Sequence, residues 1–161
     1  MIVLGLDPGI ARLGYGVIES DGRHDRCVTY GVLTTPAGPL GPRLVALRAE
    51  LQRLIAAHHP NRIVVEQLFF SKNVKTAMAV GEARGVMLLT CTESNVETLE
   101  VSPQQVKQSV SGFGAADKGQ VQRMVQVLLH LPAIPRPDDA ADALAIAWCG
   151  GRLHIHTVTR S

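Results

Sequence analysis

The sequence lacks the cysteine patterns of disulfide-stapled and zinc-binding proteins. Its cysteines, Cys27, Cys91 and Cys149, are widely spaced and include no Cys-x-x-Cys pair, so we expect reduced packing residues. No apolar run approaches the roughly 18 residues that a membrane span needs, and no basic segment precedes the first apolar stretch as in a signal peptide. These absences predict a cytoplasmic protein with no membrane partner.

An excess of charge of one sign is also missing. The net charge is +2, which is too small to argue by itself for a nucleic-acid partner. Hydrophobic residues make up 46% of the chain and charged residues 19%, a globular composition that argues against disorder. With no repeat or linker, the sequence predicts one domain over residues 1–161, with a short flexible C-terminal tail from about residue 153.

The hydrophobic pattern predicts an α/β domain. Strands are expected at residues 2–7, about 14–20 and about 26–34, and a helix around Leu44–Ile55 ends at His58, His59 and Pro60. The remaining predicted elements are a strand at 63–66, a helix at 74–90, a strand at 96–101, a short helix near Pro103, a glycine-punctuated loop over 111–119, a helix around 121–128, an extended connector over 131–137 and a helix from Asp138 to about Leu153.

This order of elements predicts one mixed five-stranded sheet flanked by helices. An antiparallel meander supplies the first three strands, and right-handed crossovers add parallel ones. The first strand can then lie beside the strand that ends at Glu66. Asp7 and Glu66 would stand at neighbouring strand ends.

These two carboxylates are unusual because each follows an apolar strand without a nearby cation in the sequence. Each could simply mark the exit of its strand into solvent. Two unpaired carboxylates at adjoining ends are costly to bury, however, and a bound cation would remove that cost. Pro8 and Gly9 turn the chain sharply after Asp7, and Gly9 leaves room for a phosphate to approach.

A third group of acids lies in PDDAADALAIA, residues 137–147. Asp139 and Asp142 share a helix face, while Asp138 is a plausible N-cap. Capping does not explain Asp142, which alanines surround. Oxygen ligands without cysteine or ligand-spaced histidine suit Mg²⁺ or Mn²⁺, and two such ions roughly 3.5–4 Å apart would hold a phosphodiester for in-line displacement.

Five stretches together resemble the bacterial RuvC-type Holliday junction resolvases, in order over about residues 2–150: GLDPGIARLGYGV, VVEQLFFSKNVKTA, EARGV, QQVKQSVSGFGAADKGQVQRMV and DDAADALAIA. The resemblance implies an RNase H-like fold and a homodimeric endonuclease that resolves four-way DNA junctions by paired symmetric nicks. It also implies two Mg²⁺ ions per active site, for which Mn²⁺ can substitute, a branch-migration helicase partner and a preference for a short T-rich sequence.

The resemblance assigns roles to individual residues. The catalytic and metal-binding acids would be Asp7, Glu66, Asp139 and Asp142. The essential lysines match Lys107 and Lys118, and the base-stacking phenylalanine matches Phe69. The doublet Asp138-Asp139 leaves the third acid ambiguous by one residue; Asp139 is favoured because it lies three residues before Asp142, as in the family.

The residues alone give uneven support for DNA contacts. Lys107 and Lys118 could be solvated surface charges, the interpretation that sequence alone favours, although the glycines between them allow a phosphate-gripping loop. Phe69 and Phe70 follow Glu66 in a chain with six aromatic residues; packing explains one, and the other is a candidate stacking platform for an unpaired base. Three more cations are expected to meet backbone phosphates: Lys72, Lys75 and Arg84.

Three other functions fit parts of the sequence. The aromatic pair and the QVKQ…DK segment argue against an RNase H-like nuclease that acts on RNA. The chain is too short for the two lobes of an actin-like ATPase or sugar kinase, and the presence of all four acids argues against a non-catalytic junction-binding protein. The helix at 74–90 is the candidate dimer interface, because it carries more apolar surface than one sheet face needs: Ala77, Val80, Met87 and Leu88.

Overall fold

A computed structural model describes residues 1–9, 11–21, 23–67 and 74–153 of the chain, with only the backbone described for 74–76. The predicted tail beyond residue 153 lies outside these residues. The strands are β1 (Ile2–Asp7), β2 (Arg12–Ser20), β3 (Asp25–Thr34), β4 (Arg62–Glu66) and β5 (Glu97–Val101). The helices are α1 (Leu40–His58), α2 (Val74–Glu93), α3 (Pro103–Ser111), α4 (Lys118–Leu128) and α5 (Asp138–Arg152).

The strands form one mixed sheet in the order β3-β2-β1-β4-β5, which confirms the predicted architecture. β1 is antiparallel to β2 and parallel to β4, and β4 is parallel to β5. Leu6 of β1 is in register with Val65 of β4. The next residue of each strand is an acid, so Asp7 and Glu66 end at the same edge of the sheet.

The alternation of side chains along β1 decides which way Asp7 points. Leu4 and Leu6 belong to the core under α1 and α2, whereas Val3 belongs to the core under α5 on the other face. Because successive side chains of a strand point to opposite faces, Asp7 lies on the same face as Val3. It therefore faces α5, the helix that carries Asp139 and Asp142.

Helix α5 lies directly on the sheet because glycines leave room for its backbone. A Cβ atom built on Gly5 would stand 2.2 Å from the Ala143 carbonyl oxygen, and one on Gly14 would stand 2.1 Å from that of Asp139. The helix contributes its own glycine, since a Cβ on Gly150 would stand 2.1 Å from Cγ2 of Val64. This close approach fixes the height of α5 above the strand ends.

Helix α4 begins inside the segment that the sequence analysis assigned to a loop over residues 111–119. Asp117 caps it: its carboxylate accepts from the Gln120 backbone N–H at 2.8 Å, and the Gln120 side chain accepts from the Asp117 N–H at 2.9 Å. This capping box starts the helix at Lys118 despite the glycine at 119. The predicted loop was therefore too long.

Helix α2 uses part of the proposed dimer surface for its own packing. Met87 is 1% exposed and leaves no free apolar surface, and Leu88 is partly buried against the same core. The helix instead exposes Met78 (70%) and Leu89 (55%), which lie about three turns apart on one side. No helix in the described part of the chain is long and apolar enough to cross a bilayer.

The close packing of α5 can be tested with two adjacent glycines. Gly150→Ala should lower the free energy of unfolding by about 1–3 kcal/mol, because the new methyl group has no room beside Val64. Gly151→Ala is the matched control, since a Cβ there meets atoms only at 3.5 Å or more. It should be neutral or stabilising by about 1 kcal/mol. Equal denaturation midpoints for the two variants would contradict this account of the packing.

Candidate active site

Four carboxylates from three elements meet at one edge of the sheet. Asp7 ends β1, Glu66 ends β4, and Asp139 and Asp142 lie on the first two turns of α5. Burial and, to a smaller extent, the negative charges of Glu66, Asp142 and Asp139 together raise the pKa of Asp7 to about 7. The other three acids that the sequence analysis singled out are thus all close enough to act on Asp7.

Glu66 and Asp142 are affected in the same way. Burial and the negative charge of Asp142 together raise the pKa of Glu66 to about 7. Burial also raises the pKa of Asp142. Gathering these carboxylates is unfavourable because each loses water and is repelled by the others. The cluster requires positive charge close by.

Two lysines supply part of that charge. Nζ of Lys118 lies 2.9 Å from Oδ2 of Asp142 and 3.6 Å from Oδ2 of Asp138. Lys107 lines a cavity of about 240 Å³ together with Lys118, Glu66 and Asp142. Both lysines therefore face the acids, which the interpretation as two solvated surface charges did not anticipate, and the side chain of Lys118 is at the same time 54% exposed.

Two arginines that the sequence analysis did not single out also reach this edge. Nε of Arg12 lies 3.1 Å from Oδ2 of Asp139, and Arg136 pairs with Asp138. The antiparallel pairing of β1 and β2, which sets Asp7 opposite Gly14, brings the start of β2 near the acids. That pairing was predicted and could have pointed to Arg12; Arg136 lies in an irregular connector that no periodic pattern places.

The expected capping role of Asp138 is wrong. Pro137 occupies the N-cap position, and its side chain makes no capping hydrogen bond. Asp138 is already the first helical residue, and its carboxylate turns toward Lys118 and Arg136 instead of the backbone N–H groups. The negative charge of Asp139 raises the pKa of Asp7, and Asp139 lies against Gly14 of β2. Both observations favour Asp139 over Asp138 as the third acid.

The other expected DNA contacts are less well supported. Arg84 forms an ion pair with Glu100 and its side chain is only 22% exposed, so it is less available to phosphates than expected. Phe69, Phe70 and Lys72 lie outside the described residues, and so does the side chain of Lys75. Their contacts with DNA stay predictions.

Comparison with known proteins identifies the family. The family model of the crossover junction endodeoxyribonuclease RuvC matches residues 3–150. The chain belongs to the RuvC family. It is 49% identical to the crossover junction endodeoxyribonuclease RuvC of Alkaliphilus oremlandii over 158 residues, which is 98% of this chain and 94% of that protein.

Solved RuvC structures share the fold. Thermus thermophilus RuvC superimposes with a TM-score of 0.84 at 37% identity, covering 92% of each chain. T. thermophilus RuvC in complex with a Holliday junction substrate gives a TM-score of 0.83 at 34% identity, again over 92% of each chain. These matches confirm the predicted RNase H-like fold.

A RuvC-type nuclease implies a divalent metal cofactor, and the donor set fits one. Within the described ranges, no three His, Cys, Asp or Glu side chains are already arranged closely enough to hold a metal ion. The acids are nonetheless hard oxygen donors with unfavourable mutual repulsion, which is the chemistry that Mg²⁺ or Mn²⁺ relieves. Lys118 and Arg12, which contact Asp142 and Asp139, would have to share these carboxylates with the ions.

Repulsion among the acids gives a stability test. Without divalent ions, Asp7→Asn should unfold at a higher temperature than the wild type, because it removes a buried and repelled carboxylate. Mg²⁺ at about 100 times its Kd should stabilise the wild type by about 2.7 kcal/mol and should stabilise Asp7→Asn less. Thermal unfolding with Mg²⁺ or chelator measures both effects. An equal gain for Asp7→Asn and for the exposed control Asp21→Asn would rule out Asp7 as a ligand.

Proposed function

We propose that this protein is a structure-selective endodeoxyribonuclease that resolves four-way DNA junctions by paired symmetric nicks, in DNA recombination and repair. The observation that carries this function is the convergence of Asp7, Glu66, Asp139 and Asp142 at one sheet edge in a chain of the RuvC family. A solved relative, 34% identical, holds a Holliday junction substrate. The same kind of DNA is the proposed substrate here.

The four acids are proposed to hold two Mg²⁺ ions, with Mn²⁺ able to substitute. When bound, such a pair supplies an activated water and neutralises the leaving oxygen of an in-line displacement. The carboxylates fix where the scissile phosphate sits. Their rigid placement comes from the ends of β1 and β4 and from α5, because side chains on strands and helices are held more exactly than those on loops.

The lysines are proposed to bind the phosphate that is cut. Lys107 and Lys118 line the cavity that also contains Glu66 and Asp142, so a phosphate entering it meets two ammonium groups beside the acids. Lys118 holds Asp142 at 2.9 Å and would shift toward a phosphate oxygen. Phe69 is proposed to stack on an unpaired base at the junction, and Phe70, Lys72 and Lys75 to contact the DNA nearby.

A substrate panel tests the function. The wild type should nick a labelled four-way junction symmetrically in Mg²⁺, and should leave a linear DNA duplex and an RNA–DNA hybrid intact. Asp7→Asn should bind the junction but not cut it, because the amide keeps the volume of the carboxylate without its charge. Asp21→Asn, an exposed change elsewhere, should cut normally.

Each alternative predicts a different result with this panel. Preferential cutting of the hybrid would favour the RNA-directed nuclease. Junction binding without cutting in either Mg²⁺ or Mn²⁺ would favour a non-catalytic junction-binding protein.

Substitutions in the doublet Asp138-Asp139 test which of these two acids is the third metal ligand. Asp139→Asn should abolish junction cleavage, because Asp139 acts on Asp7 and lies on the face of α5 nearest β2. Asp138→Asn should keep most of the cleavage, since this carboxylate is turned toward Arg136 and Lys118. Single-turnover cleavage rates decide between them. A dead Asp138→Asn with an active Asp139→Asn would move the third ligand by one residue.

The protein is also proposed to act as a homodimer, because two symmetric nicks need two active sites. The exposed face of α2 is the proposed interface. It presents Met78 and Leu89, and between them Gly81 and Gly85, above which a built Cβ finds open space. A partner helix could approach this face closely.

Sedimentation velocity at micromolar concentration tests the interface. The wild type should sediment as a dimer and Met78→Lys as a monomer, because the new charge would be buried against a partner. Val127→Lys is the matched control, since Val127 is 63% exposed on the opposite side of the sheet. A wild-type monomer that still cuts both strands of a junction would overturn the dimer.

Two further proposals rest on observations outside the site: the helicase partner on family resemblance, and the location on the cysteine pattern and the missing signal peptide. A branch-migration helicase motor would deliver the junction to this nuclease, and the protein would work in the cytoplasm.

A further inference from the structure

A second depression lies beside the acids, and its walls are rich in cations. It has a volume of about 740 Å³ and is lined by Arg12, Lys118, Arg136, Pro137, Asp138 and Asp139. Three cations and two carboxylates line it, and one of the cations, Lys118, is also paired with Asp142. We propose that this depression binds a backbone phosphate of the DNA strand next to the phosphate that is cut.

The three cations come from separate parts of the chain. Arg12 begins β2, Lys118 begins α4 and Arg136 lies in the connector before α5. Their convergence therefore does not follow from one helix face or one strand. Each is held by acids of α5: Arg12 by Asp139, Arg136 by Asp138, and Lys118 by Asp142 at 2.9 Å and Asp138 at 3.6 Å.

The arginines can bind a phosphate while they keep their carboxylates. A guanidinium carries five N–H donors in a planar fork, and Arg12 uses its Nε toward Asp139. The side chains of Arg12 and Arg136 are 52% and 69% exposed, so phosphate oxygens can reach them. Arginine also matches phosphate geometry better than lysine does.

The position of the depression selects a neighbouring phosphate and not the scissile one. Lys118 lines both this depression and the smaller cavity that contains Glu66, Lys107 and Asp142. A strand that places one phosphate in the smaller cavity would carry its next phosphate past Lys118 into the depression. This assignment rests on the proposed function, because it takes DNA as the substrate.

Salt dependence of junction binding is the first test. Binding is measured in chelator, so that metal loading and cleavage do not enter. The variant Arg12→Gln with Arg136→Gln should lower the slope of log Kobs against log salt concentration by about 1, as expected for one lost phosphate contact. Arg53→Gln is the matched control, because Arg53 is also an exposed arginine in an ion pair, with Glu50, on α1. Its slope should equal that of the wild type.

Neutral methylphosphonates then locate the phosphate. Phosphates on either side of the cut bond are replaced one at a time. At one position the replacement should weaken wild-type binding and have no further effect on the Arg12→Gln, Arg136→Gln variant. The proposal would be overturned if, at every position, the affinity lost through the methylphosphonate added to the affinity lost in the double variant. It would also be overturned if the salt slope of the double variant were no lower than that of Arg53→Gln.

The outcome for the wild type separates this proposal from the proposed function. A wild type that binds and cuts the junction, with no coupled position in the scan, would remove the phosphate subsite alone. A wild type that does not bind four-way junctions would overturn the proposed function and the subsite with it.

Discussion

The direct contact between α5 and the sheet is the constraint on which the rest of the structure depends. Its backbone lies against Gly5 and Gly14, where any side chain would collide with helix carbonyl oxygens at little more than 2 Å. At this height the first two turns of α5 bring Asp139 and Asp142 level with the strand ends that carry Asp7 and Glu66. The packing of the core and the geometry of the site are therefore one problem, because glycines in β1 and β2 set the position of two acids.

The second determinant is electrostatic. Burial and mutual repulsion oppose the gathering of these acids, since they raise the pKa values of Asp7 and Glu66 to about 7. The fold tolerates the cluster because cations stand around it, with Lys118 on Asp142 and Arg12 on Asp139. Such a site costs stability in the absence of substrate and metal, which is a common property of catalytic centres.

The parts of the structure that periodicity governs were predictable. Strand alternation and the parallel placement of β1 beside β4 put Asp7 and Glu66 at one edge, and helical spacing put Asp139 and Asp142 on one face. The partners of these acids were less predictable, because Arg136 lies in a connector without a repeating pattern. Asp138 was misjudged since Pro137 takes the cap position, and Met87 was misjudged since spacing alone does not say which apolar face of α2 meets the core.

Lys118 shows how a tertiary contact can override a local preference. It is the first residue of α4, where the partial positive charge of the helix N-terminus disfavours a cation. The capping box of Asp117 and Gln120 fixes the helix start at this residue all the same, and the hydrogen bond to Asp142 raises the pKa of the Lys118 ammonium. A lysine that is unfavourable for its own helix is therefore held at the acids by a tertiary contact. Local preference and global structure disagree in this way most often at functional sites. Lys118 also lines both cavities beside the acids, so the tertiary contact that holds it there places its ammonium group between them.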